Sequence, residues 1–96
     1  MHATLVQLAT KPGMREKMEK VADQMLPVLR GLKGFKNALF MTDYEADEYF
    51  GVAVWESKED AEAAFAATDP RLEEAVGDIV KEPPISRVFE LYEPKT

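Results

Sequence analysis

A chain of 96 residues with a formal net charge of −6 has room for one hydrophobic core, since a second would need roughly another hundred residues. Its 46% apolar and 31% charged residues exclude a disordered polyelectrolyte and a membrane span, and the acidic balance opposes binding to nucleic acid or to anionic membrane surfaces. The absence of cysteine removes disulfides, thiolate metal sites and a cysteine nucleophile, and suits a reducing compartment.

In chain order, Ala3 to Ala9 is a short apolar run stopped by Lys11-Pro12-Gly13, which predicts a first strand and a turn. No basic stretch followed by a long apolar run opens the sequence, so no secretion signal is expected, and the cytoplasm is the expected location. From Met14 to Leu32, Met14, Met18, Val21, Met25, Leu29 and Leu32 recur at helical spacing, with Pro27 expected to kink or divide the helix before Gly31 and Gly34 end it. Phe35 to Thr42 and Tyr49 to Glu56 are aromatic and β-branched runs joined by the polar segment Asp43 to Glu48, the pattern of a hairpin. Ser57, with Asp60 three residues on, predicts a capped helix to about Ala67. Asp69-Pro70 then reads as a cap and first-turn proline of a separate helix carrying Leu72, Ala75, Val76, Ile79 and Val80. Pro83-Pro84 stops it, and Ile85 to Tyr92 predicts the last strand.

The order β-α-β-β-α-β, with the second helical stretch broken in two, is that of an α+β ferredoxin-like sandwich with a four-stranded antiparallel sheet, as one domain over residues 1–96. Alternation places Val6, Leu8, Ala38, Phe40, Val52, Val54 and Val88 on one parity and Leu5, Leu39, Ala53, Trp55, Phe89 and Leu91 on the other. Both faces are therefore apolar. Helices cover one of them, so a homodimer packed through the open sheet face is expected.

The segments Gly34-Phe35, Asp43 and Val54-Trp55-Glu56-Ser57-Lys58-Glu59, in a chain of this length and strand order, resemble the antibiotic biosynthesis monooxygenase family. The resemblance runs from the Lys11-Pro12-Gly13 turn through the final strand. It implies a dimeric α/β barrel. It also implies a small hydrophobic or aromatic ligand, which some members oxygenate as a quinol or polyketide without flavin or metal; haem-degrading relatives cleave porphyrin. Two functions stay open: a cofactor-independent monooxygenase of a small phenolic or quinol-type substrate, and a non-catalytic or isomerase-like binding module, which the absence of a strong acid–base pair favours.

The resemblance makes Trp55 a catalytic candidate, because a tryptophan ending the third strand lines the pocket between sheet and helices in members that oxygenate aromatics. The alternative is a core tryptophan packed on the following helix. Arg87, between Ile85 and Phe89 in an apolar layer, needs an anionic or hydrogen-bonding partner. That partner is either a carboxylate, across the dimer or within the chain, or a developing oxyanion or enolate of the substrate. Gln7 and Asn37 share the odd parity of Trp55 and Arg87 and are expected in the same space, with Tyr49 able to join them, unless a bulge shifts a strand. Gly77 interrupts an apolar helical face, either for close packing or for a ligand edge. His2, the only histidine, is set aside as a chain-end residue. Where haem-degrading relatives carry a ligating histidine this chain has Ala75, Val76 and Gly77, and Gln7 stands for their asparagine. No haem, other cofactor or tightly held metal is expected.

Overall fold

The computed structural model describes residues 1–95. Strand β1 (His2–Ala9) carries apolar residues on both faces and takes a central place, antiparallel to β3 (Glu48–Trp55) on one side and to β4 (Ile85–Glu90) on the other. Strand β2 (Phe35–Asp43) forms the edge beside β3, giving the order β2-β3-β1-β4. With α1 (Arg15–Arg30) and α2 (Lys58–Val76) the chain reads β1-α1-β2-β3-α2-β4, the predicted ferredoxin-like sandwich. His2, set aside from the sequence, belongs to β1 and pairs with both Trp55 and Glu90.

Both helical regions run through a proline without dividing, and only the second departs from expectation outright. Pro27 lies within α1, and Pro70 lies within α2, which is one helix where two were predicted. A proline removes the bond to the carbonyl four residues back. At both sites that carbonyl belongs to an exposed residue, Asp23 or Ala66, so water can serve it. Meanwhile Ala61, Ala64, Thr68, Leu72 and Val76 form an unbroken buried stripe across Pro70, and its burial outweighs the local signal at Asp69-Pro70. Ile79 and Val80 fall outside the helix: Lys11 donates to the Ile79 carbonyl and Thr10 bridges Val80. The Ser57 cap is as predicted, its hydroxyl accepting from the Asp60 amide at 3.1 Å.

Gly34 is required where it stands. Its φ is +82°, and a Cβ there would run into the Asp60 side chain, while its carbonyl accepts from the Glu56 amide at 2.8 Å and ties β3's end to the turn before β2.

Register overturns the parity assignment. Residues directly opposite in paired strands share a face. Trp55, Ala53, Gly51 and Tyr49 stand opposite His2, Thr4, Val6 and Leu8, and Thr4 also faces Val88. Ala53 and Trp55 thus join Val6, Leu8, Ala38, Phe40 and Val88 beneath the helices. Val52 and Val54 move to the open face with Leu5, Leu39 and Phe89. The helix-side core forms two clusters, one around Leu8, Met18, Tyr49, Leu72 and Val76, the other around Ala53, Trp55, Ala61 and Ala64.

Candidate functional site

Between those two clusters the sheet and helices do not close. A cavity of about 340 Å³ opens there, at the lower end of the roughly 300–1,000 Å³ typical of small-molecule sites. Its floor is the helix-facing side of β1 and β3, where Gly51 presents no side chain beside Val6 and the Phe40 ring spans the space. A Cβ at Gly51 would meet that ring at 3.6 Å. Met18, Met25 and Leu29 of α1 and Ala64, Phe65 and Leu72 of α2 supply walls. Two of the methionines on the apolar face of α1 therefore wall a cavity, where their flexible side chains can adapt to its shape.

Trp55 borders the cavity and is fully buried. Phe35 holds its ring edge-on at 5.7 Å between centroids, and its indole Nε1–H donates to Thr4 Oγ1 at 3.1 Å. At the other end of β3, Tyr49 also lines the cavity, edge-to-face with Tyr44 at 6.1 Å. Arg15 sits 4.1 Å over the Tyr44 ring and pairs with Glu19 at 3.6 Å, which puts both charges at that end. Burial, helped by the neighbouring Tyr44 and the Asp47 carboxylate, raises the Tyr49 pKa above the ordinary tyrosine value. At neutral pH it is a hydrogen-bond donor. Glu19 is the only carboxylate among the described lining residues.

The other predicted residues do not converge here. Arg87 and Gln7 stand opposite Leu5 and Ile85, and Asn37 opposite Val54, all on the open face. The expectation that they share one space with Trp55 is therefore corrected. Two causes act. The phase of β3 relative to its neighbours is set by pairing, and a bulge between Phe35 and Asn37 turns Asn37 away from the face that Phe35 occupies. The Asn37 side chain accepts from the Ala38 amide at 2.9 Å, and the Arg87 guanidinium lies 4.6 Å over Phe89. Gly77 lies at the end of α2 in a separate shallow groove with Val80 and Pro83, where an added Cβ would meet the Glu73 carbonyl at 3.0 Å. Sequence reasoning missed Thr4, Gly51 and Phe65. Gly51, a glycine inside an apolar strand, was the one legible signal.

A scan against family models finds no match, and the curated proteins hold no relative of this sequence. Solved structures do resemble it. A putative antibiotic biosynthesis monooxygenase from Bordetella bronchiseptica is 20% identical, with 96% of this chain and 97% of that one covered, at a TM-score of 0.78. The monooxygenase ActVA-Orf6 of Streptomyces coelicolor, solved with nanaomycin D, is 17% identical over 99% of this chain and 90% of its own, also at 0.78. SnoaB, a cofactor-independent oxygenase from Streptomyces nogalater, is 14% identical over 98% and 95%, with the same score. The chain thus has the fold of the antibiotic biosynthesis monooxygenases, the family that its sequence resembles.

Proposed function

We propose that this protein is a cofactor-independent monooxygenase of a small phenolic or quinol-type aromatic, working as a homodimer joined through the open sheet face. The observation that carries the proposal is the apolar cavity walled by Trp55, Phe40 and the α1 methionines, with a neutral phenol donor, Tyr49, at one end. Such a space suits a flat aromatic with an oxygen near the tyrosine. The charged groups support a simple reaction. A quinol gives up its proton, for which Glu19 is the lining acceptor, and the anion passes an electron to dioxygen. The radical pair joins at a ring carbon, and the hydroperoxide loses water, so that quinol and dioxygen yield hydroxyquinone and water. Tyr49 would donate to the anion as charge develops on its oxygen. On this reading Arg87, Gln7 and Asn37 lie in the layer between the two sheets of the dimer.

The test is 1,4-naphthoquinol under ¹⁸O₂. Expected is 2-hydroxy-1,4-naphthoquinone carrying one label, formed faster than in buffer and slowed by Tyr49→Phe. Only unlabelled naphthoquinone and peroxide, at the rate of autoxidation, would dismiss the oxygenase. One observation favours the second function, a binding module: Glu19 is already paired with Arg15, and Tyr49 resists ionisation, which leaves no strong base free.

A further inference from the structure

Among the described residues the buried polar ones are three threonines, Thr4, Thr10 and Thr68. A hydroxyl has one hydrogen to donate as well as lone pairs to accept. Thr10 donates to the Lys11 carbonyl at 3.0 Å, and Thr68 donates to the Ala64 carbonyl at 2.8 Å. Thr4 differs. Its Oγ1 accepts the Trp55 indole hydrogen, and none of the hydrogen bonds among the described residues uses its own hydrogen. Yet Thr4 is only 6% exposed, and what it borders is the cavity.

A buried donor without an acceptor is unfavourable, and native structures keep one where water or a ligand completes it. Water fits poorly at this spot. A buried water needs two to four polar partners, whereas Thr4 stands opposite Ala53 and most of the residues lining the cavity with it are apolar, Val6, Leu29 and Ala64 among them. A ligand oxygen on a hydrophobic frame needs only the one donor. Trp55, fully buried and braced by Phe35, fixes one lone pair of the hydroxyl and so restricts where its hydrogen can point. Accepting the indole hydrogen also polarises the hydroxyl and strengthens it as a donor.

We propose that Thr4 is the hydrogen-bond donor to a carbonyl or phenolate oxygen at the buried end of the cavity's ligand, and that Trp55 is the positioning residue that aims it. The site therefore selects an apolar, mostly carbocyclic ligand with an acceptor oxygen on the edge opposite the tyrosines. This rests on the cavity being a ligand site, as in the proposed function, and not on any oxygen chemistry.

The test compares two probes of the same frame, 1-tetralone and tetralin, by calorimetry. The wild type is expected to bind the ketone more tightly. In Thr4→Val that preference should fall about three- to tenfold, with tetralin affinity held, and Thr4→Ser should restore it. Trp55→Phe keeps the hydroxyl but frees it, so it should lower the preference without a change at Thr4, which keeps the question open to measurement should the valine variant not fold. An unchanged ketone preference in Thr4→Val or Trp55→Phe, equal loss of both probes in Thr4→Val, or no ketone preference in the wild type would each overturn the proposal. A wild type that prefers tetralone yet leaves naphthoquinol to autoxidation would overturn the oxygenase and leave the Thr4 assignment standing.

Discussion

The two faces of the sheet are built from the same strands, with residues of similar character, and meet opposite fates. On the helix side Trp55, Ala53, Tyr49 and Leu8 are buried. On the other side, along the outer strands β2 and β4, Leu39 is 57% exposed, Met41 47%, Ile85 50% and Phe89 38%. Between them on the inner strands Leu5, Val52 and Val54 are half-buried, and an apolar face of this extent commonly marks an interaction surface. The covered face, in turn, does not fill its own space. It keeps a cavity of about 340 Å³ beside Gly51 and Thr4. The lesson is that hydrophobicity alone does not distinguish stability from function in this fold. The covered face encloses a cavity, and on the dimer proposal the open face is kept for a second copy of the chain.

The largest effect expected from breaking this contrast is on assembly. Val52 lies on the open face in the inner strand β3. On the dimer proposal, Val52→Asp puts an unpaired carboxylate into a buried interface, which a low dielectric penalises strongly. Sedimentation should then show wild type at twice the 10.8 kDa chain mass and the variant at one chain mass. A wild type that runs as a stable single chain at micromolar concentration would break the comparison, because the open face would then need no cover.

On the covered face the expected effect is on folding. Trp55→Ala removes a fully buried indole, the edge contact to Phe35 and the bond to Thr4, and should cost about 3–5 kcal/mol in urea denaturation. Leu39→Ala, on the open face at the edge strand, should cost well under half of that in a monomer-forming background such as Val52→Asp. Equal costs at the two positions would mean that the two faces are equally structural.

The fold was legible because each element carries its own period and punctuation: the apolar spacing of α1, the Ser57 cap, the hairpin's polar loop. That both faces of the sheet are apolar was legible too. The assignment of β3 to its neighbours was not, since Tyr49, Gly51, Ala53 and Trp55 and the interleaved Phe50, Val52 and Val54 are both apolar sets. Only the pairing register, a long-range quantity, chooses between them. The site suffered most from this. Trp55 and Tyr49 do border the cavity, while Arg87, Gln7 and Asn37 stand on the other face through the β3 phase and the bulge at Phe35. Pro70 misled because a local signal was weighed against a packing stripe whose phase continues through it. Thr4 escaped notice because a threonine inside a strand is unremarkable until its hydrogen-bond partners are counted.

The smallest expected effect separates the faces by titration. Tyr49, on the covered face, has a pKa raised chiefly by burial, so the folded chain holds its proton more tightly than the unfolded chain does. Below the ordinary tyrosine value, about 10, both states are protonated and Tyr49 adds no pH dependence. Above it the unfolded state ionises first. Stability is then lost as pH rises through the raised folded value, beyond which the loss stops growing. Tyr49→Phe removes this component, so its urea midpoint should fall less steeply than that of wild type between about pH 9 and pH 11. Parallel curves would mean that the hydroxyl stands in water, and Tyr49 would then be no part of a desolvated cavity wall.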